Sequence, residues 1–65
     1  MRKRFGDLAV GDVIYWRNNT DNCAVVTTVS HHDGATAVRI LWYKKDESVA
    51  ETLLQWGEDD RVELA

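Results

Sequence analysis

The sequence contains no proline, a single cysteine and no apolar run longer than four residues. A membrane-spanning helix needs about 20 predominantly apolar residues, so none is expected and no membrane partner is predicted. Cys23 has no partner for an internal disulfide, and small extracellular domains usually carry several bridges, so we place the protein in the reducing cytoplasm. The start of the chain is basic, but Asp7 stands where a signal peptide would be apolar, and no export is expected.

Sixty-five residues with 45% hydrophobic side chains supply one small core, and we expect one domain over residues 1–65. The charge is unevenly distributed along the chain. Residues 1–45 hold seven basic and four acidic groups, whereas residues 46–65 hold one basic and seven acidic groups. The densest basic cluster, Arg2-Lys3-Arg4, falls within residues 1–5, which we expect to form a flexible basic tail.

β-branched and aromatic residues in runs bounded by turn residues predict strands at Val13–Arg17, Cys23–His31 and Thr36–Tyr43. Asp33-Gly34 lies between the second and third runs, and this dipeptide is typical of a two-residue type I′ hairpin. A hairpin turning there places Val29 opposite Val38, Thr27 opposite Ile40 and Val25 opposite Trp42. The opposite face then pairs Thr28 with Arg39, Val26 with Leu41 and Ala24 with Tyr43. The first face is apolar, and Trp42 is expected to anchor the core there.

The last third of the chain allows two interpretations. Ser48-Val49-Ala50-Glu51 matches a capping box and Gly57 could end a helix, so a β-meander with a short helix at residues 49–56 is one possibility. An eight-residue helix would depend wholly on tertiary packing, and we favour a strand returning from the third one. Residues 61–64 alternate as a final strand.

Four segments, residues 8–14, 24–29, 37–42 and 58–64, together resemble small Src-homology-3-like barrel proteins of actinobacteria and their phages. The resemblance extends more distantly to the amino-terminal barrel of elongation factor P. It implies an all-β fold, a five-stranded antiparallel barrel, and an origin in a phage or mobile element. The basic loop tip of elongation factor P is replaced here by residues 31–34, so the ribosomal role is not implied.

Catalytic and metal-binding chemistry are not indicated. His31 and His32 are neighbours on a predicted strand and therefore point to opposite faces, so they cannot converge on one ion. Ser30, His31 and Asp33 contain the residue types of a catalytic triad, but residues so close in sequence cannot aim at one another. Cys23 has no activating base in the sequence and is expected to be buried or half-buried. We predict no enzyme activity, no metal and no cofactor.

Six aromatic residues are more than so small a core needs. Exposed aromatic residues dominate many protein-binding surfaces, so the leading hypothesis is a non-catalytic protein-interaction module. Its predicted binding residues lie on the face opposite the core: Tyr43, Arg39, Val26, Leu41 and Trp16. A nucleic-acid-binding barrel that uses the basic residues is the alternative, and a structural or assembly subunit pairing through a sheet edge is a third. The oligomeric state is left open.

Overall fold

The computed structural model describes residues 1–15, 23–43 and 48–65. In these residues every regular element except one short 3-10 turn is an antiparallel strand, which confirms the all-β class. The strands are β1 (Arg2–Arg4), β2 (Val13–Tyr15), β3 (Cys23–His32), β4 (Ala35–Tyr43), β5 (Val49–Gly57) and β6 (Arg61–Glu63). They form a two-stranded sheet, β1–β6, and a four-stranded sheet, β2–β3–β4–β5, and the predicted closed five-stranded barrel is not confirmed.

The central hairpin turns at the predicted residues. Asp33 and Gly34 have φ angles of 40° and 81°, the two positive values that a type I′ turn requires. Near the turn the pairs are those predicted, with Val29 opposite Val38 and Thr28 opposite Arg39. The sequence prediction of the hairpin is therefore confirmed over its turn-proximal half.

Beyond Thr28 the predicted register is wrong. A β-bulge at Thr27 adds one residue to β3, so that Val26, rather than Thr27, pairs with Ile40. The Thr27 hydroxyl donates to the backbone oxygen of Arg39 at 3.2 Å, which secures the bulge. Because a shift of one residue exchanges the two faces of a strand, Ala24 and Val26 enter the core, and the predicted 25–42, 26–41 and 24–43 pairs do not form.

Residues 49–57 form a strand, which confirms the favoured interpretation and excludes the helix at 49–56. β5 pairs with β4 in unbroken register from Tyr43–Val49 to Ala35–Gly57. This long ladder supplies far more hydrogen bonds and packing than an isolated eight-residue helix could. The capping-box pattern is therefore overridden by tertiary structure.

The basic segment predicted to be a flexible tail is strand β1, and it pairs with β6. The chain then enters a 3-10 turn, Phe5–Asp7, and the Phe5 ring is completely buried. Backbone hydrogen bonds from Phe5 to Asp60 (2.6 Å) and from Gly6 to Glu58 (2.9 Å) fix this turn against the last one. A side chain at Gly6 would place its Cβ 2.8 Å from that of Glu58, so only glycine fits there.

One face of the four-stranded sheet, called here the inner face, carries the core. The buried apolar residues of this core come from both sheets and from the 3-10 turn region: Phe5, Leu8, Ile14, Ala24, Val26, Val38, Ile40, Leu54 and Val62. Trp42 lies on the inner face as predicted, but it is only partly buried, and its indole N–H donates to the Thr52 hydroxyl at 2.9 Å. Trp42 therefore borders the core rather than anchoring it.

Candidate functional site

Of the predicted binding residues, Val26 is separated from Arg39 and Leu41. Val26 is 1% exposed and belongs to the core, because the bulge at Thr27 turns it to the inner face. This part of the prediction is wrong. Arg39 and Leu41 lie on the opposite, outer face, where Arg39 is exposed and Leu41 is half-buried. Residue Trp16 and the side chain of Tyr43 lie outside the described part of the structure.

The outer face of the four-stranded sheet carries apolar side chains in contact with solvent. Val13, Val49 and Leu53 are 41%, 52% and 59% exposed, respectively. Val13 begins a cross-strand row that continues through the half-buried Val25 and Leu41. Because large apolar side chains normally avoid such exposure when clustered, this face is the candidate functional surface.

The outer face also holds one ion pair. The Arg39 guanidinium contacts Glu51 at 3.1 Å, and both side chains are more than half exposed. Residues on adjacent strands pair in this way across a sheet, and such an exposed pair contributes little to stability. Arg39 is therefore a cation already paired with a neighbouring carboxylate, and on this face it lies beside Leu41 and Leu53.

Three basic residues of the predicted tail are paired with carboxylates. Lys3 contacts Asp12 at 2.9 Å, and Arg4 contacts Asp59 at 2.7 Å. Arg2 lies 3.6 Å from Glu63, which also receives the N-terminal ammonium at 3.3 Å. The charge asymmetry seen in the sequence thus becomes attraction between the two ends of the chain, and the cluster is neutralised within the molecule.

Asp12 is a carboxylate whose acidity is altered by its hydrogen bonds. Its Oδ2 accepts hydrogen bonds from the backbone N–H of Ala9 and from Lys3, both at 2.9 Å. The Ala9 bond, followed by the Lys3 bond, lowers the pKa of Asp12 below its ordinary value because both stabilise the charged form. Asp12 therefore connects β1 to the loop that precedes β2 by a charge-dependent contact.

An exposed aromatic residue, Trp56, lies at the end of the inner face. Trp56 is 42% exposed, and its ring centroid lies 4.9 Å from that of the buried Phe5 at an angle of 45°. The adjacent acidic turn is occupied by internal contacts, since Asp59 binds Arg4 and Asp60 Oδ2 accepts from the Gly57 N–H at 3.0 Å. Trp56 therefore covers the end of the core, and the acidic turn holds the backbone in place.

The histidines and the cysteine show no catalytic arrangement. His31 Nδ1 lies 3.3 Å from the buried Thr36 hydroxyl, whereas His32 Nε2 lies 3.2 Å from Ser30 on the outer face. Ser30 therefore contacts His32 and not the His31 of the triad-like pattern. Cys23 is exposed, contrary to the expectation of a buried or half-buried thiol. In the described ranges no three His, Cys, Asp or Glu residues come together as a metal site.

Comparisons with protein-family models, with curated proteins and with solved structures gave no significant match. In the described part of the chain, no helix has the length and apolar content needed to cross a membrane. The site must therefore be interpreted from its own residues.

Sequence reasoning missed Val13, Val49 and Leu53 as members of the exposed surface. The alternation of β5 did carry a signal, because Val49, Glu51, Leu53 and Gln55 share one face once the segment is a strand. The face of Val13 could not be predicted from the sequence. Val13 pairs with Val25, and the bulge at Thr27 reverses the face on which Val25 lies. A bulge without glycine leaves no mark in the sequence that would have revealed this.

Proposed function

We propose that this protein is a non-catalytic protein-interaction module whose binding surface is the outer face of the four-stranded sheet. The observation that carries the proposal is the exposure of Val13, Val49 and Leu53 on one face. Arginine is enriched at the centres of interfaces, and Arg39 lies beside Leu41 and Leu53 on this face. The binding site so proposed keeps Arg39 and Leu41 from the sequence prediction and replaces Val26.

Nucleic-acid binding is the less favoured function. Phosphate recognition relies on basic side chains that are free to neutralise the backbone. Arg2, Lys3, Arg4 and Arg39 are each engaged with a carboxylate of the same chain. A phosphate backbone would have to displace these carboxylates before it could bind these four residues.

The related proposals concern origin and architecture. A resemblance to Src-homology-3-like barrels is supported by the pairing of the first and last strands, which draws the two sheets together at one side. We also propose that the protein is cytoplasmic and that its gene belongs to a phage or mobile element. A map of the neighbouring genes tests the origin, since phage structural or regulatory genes beside this one are expected.

Capture from a lysate of the native host tests the binding surface. Leu53→Lys and Val13→Lys place a charge on the outer face, and each should reduce the recovery of a specific partner at least tenfold. Val10→Lys is the matched control, because Val10 is 67% exposed but lies in the loop before β2. Equal capture by all three variants would contradict the proposal.

The same experiment identifies the class of partner. Docking of an apolar face should be only weakly sensitive to salt, whereas nucleic-acid binding weakens steeply through counterion release. Nuclease treatment and a salt series applied to the captured material therefore distinguish the two functions. Loss of all binding at moderate salt, together with recovery of nucleic acid, would favour the alternative.

A further inference from the structure

The two edges of the four-stranded sheet are protected to different degrees. The β2 edge is three residues long, and the end of the chain covers it through an Ile14–Leu64 bridge and a 2.9 Å hydrogen bond from Ala65 to the Val13 oxygen. The β5 edge is nine residues long, and no strand among the described residues pairs with its outer side. Long unprotected edges are avoided in monomeric proteins because they invite pairing with another chain.

The hydrogen bond next to the end of β5 shows which of its backbone N–H and C=O groups point towards β4 and which point away from it. The Glu58 N–H donates to the Gly34 oxygen at 2.9 Å, so Ala35 and Gly57 form a non-hydrogen-bonded pair. The backbone groups of Gly57 therefore point away from β4. Both are used by Asp60, whose side chain accepts from the Gly57 N–H and whose N–H donates to the Gly57 oxygen at 3.1 Å.

Hydrogen-bonded and non-hydrogen-bonded pairs alternate along an antiparallel ladder, so every second residue of β5 points its backbone groups away from β4. These residues are Gln55, Leu53, Glu51 and Val49. Their outward N–H and C=O groups have no partner among the described residues. The side chains of the edge offer little protection, since β5 has no lysine and no proline and Glu51 is its only charged residue. The edge is thus closed at the Gly57 end and open over the preceding residues.

We propose that β5 pairs with β5 of a second copy of this chain, antiparallel and about a two-fold axis at Leu53, so that the two four-stranded sheets become one continuous sheet. In this arrangement Leu53 faces Leu53 of the other copy, and Glu51 faces Gln55. A leucine that is 59% exposed in the single chain is then covered by its own counterpart. The inference rests on backbone groups of the edge, and it shares only Leu53 with the surface of the proposed function.

Two features of β5 favour a second copy as its partner and a two-fold axis at Leu53. They are the single charge on Glu51 and the use of the Gly57 backbone groups by Asp60. A two-fold axis at Glu51 would set two carboxylates against each other, which is unfavourable. An axis at Leu54 would set Glu51 against Gly57, whose backbone groups Asp60 already uses, and would leave only residues 53–55 to pair. An axis at Thr52 would place Glu51 against Leu53. An axis at Leu53 needs the backbone groups of Gly57 only for the outermost pair, Val49 with Gly57, so residues 51–55 can pair with themselves without any of these conflicts.

Sedimentation equilibrium of the full chain tests the proposal. The wild type should form a concentration-dependent dimer, as should Gln55→Ala, which keeps the backbone N–H. Gln55→Pro removes an N–H that is not bonded to β4, and proline is tolerated on strand edges, so this variant should fold. The lost N–H would bond to the second copy, so the variant should be a monomer. A wild type that remains a monomer up to about 1 mM, the limit of weak specific association, overturns the proposal. A folded Gln55→Pro variant that still dimerises also overturns it.

Disulfide cross-linking checks the register and decides the case if Gln55→Pro does not fold. In a Cys23→Ser background, Leu53→Cys should form a covalent dimer readily, because Cα atoms of such a pair lie about 5.5 Å apart, within disulfide reach. Val49→Cys is the control, because in this register the two copies of residue 49 are roughly 26 Å apart at 3.3 Å per residue. Cross-linking no faster at 53 than at 49 would overturn the two-fold axis at Leu53. Retention of the lysate partner by Gln55→Pro would show that the two proposals are separate.

Discussion

The inner and outer faces of the four-stranded sheet both carry apolar residues, yet the described parts of the chain cover only the inner face. Phe5, Leu8 and Val62 pack over the inner face, whereas Val13 and Leu53 remain exposed on the outer one. The covering residues come from the two ends of the chain, which β1 and β6 hold together. The difference shows that the course of the termini, and not hydrophobicity alone, decides which face becomes core.

Phe5→Ala is expected to have the largest effect, because it removes the main covering ring of the inner face. Phe5 is completely buried and contacts Trp56, and truncating such a residue costs about 3–5 kcal/mol. A small domain has little more stability than this, so the variant should be largely unfolded at ambient temperature. Urea unfolding followed by circular dichroism measures the effect. Val10→Ala is the control, and equal stability of the two variants would contradict the assigned cover.

Trp42→Ala is expected to have a smaller effect, because Trp42 only borders the core. The loss of its partly buried ring and of its hydrogen bond to Thr52 should cost about 2–3 kcal/mol, less than Phe5→Ala. Trp42→Phe keeps most of the ring and loses the hydrogen bond, so it should lie between Trp42→Ala and the wild type. A Trp42→Ala variant less stable than Phe5→Ala would reverse the two roles.

Asp12→Asn tests the contact that holds β1 in its covering position. The pKa of Asp12 is lowered in the folded protein, so its stabilising effect is present above the unfolded value of about 3.9 and is lost as the pH falls below it. At pH 7 the variant should be less stable than the wild type by about 1 kcal/mol, the upper end for a surface pair. Thermal melts from pH 7 to pH 3 should show this difference shrinking. In a Lys3→Met background the difference should be reduced already at pH 7, and a difference that grew in acid would contradict the assignment.

Leu53→Ala should have the smallest effect on unfolding, because Leu53 lies on the uncovered face. At low protein concentration its stability should remain within about 0.5 kcal/mol of the wild type. The neighbouring residue supplies a matched comparison, since Leu54 is 7% exposed on the inner face and Leu54→Ala should cost about 2–5 kcal/mol. Equal losses in the two variants would mean that the outer face is covered as well.

The sequence predicted those parts of the fold that depend on local interactions. Asp33-Gly34 defined the hairpin and the pairs next to it, because the turn geometry alone sets that register. A short helix at residues 49–56 depends wholly on tertiary packing, so the sequence favours a strand there, and the β4–β5 ladder confirms the strand.

The rest depended on contacts between distant residues. The bulge at Thr27 reverses the faces of β3 and turned the predicted surface residue Val26 into a core residue. The strand at Arg2–Arg4 has a basic sequence typical of a solvated tail, and only its pairing with β6 and the carboxylates opposite it make it part of the fold. Neither feature has a local pattern that could have revealed it.

The pairing of β1 with β6 also has a consequence for the order of folding. The β3–β4 and β4–β5 hairpins join segments that are close in sequence, so the entropy cost of closing their loops is small. The contact between Met1 and Glu63 joins residues that are 62 positions apart, so its cost is larger. We infer that the hairpins form early and that the two ends of the chain join them last. Until that step the inner face, with Val38 and Ile40 at its centre, is open to solvent, so a partly folded chain exposes the surface most able to cause aggregation.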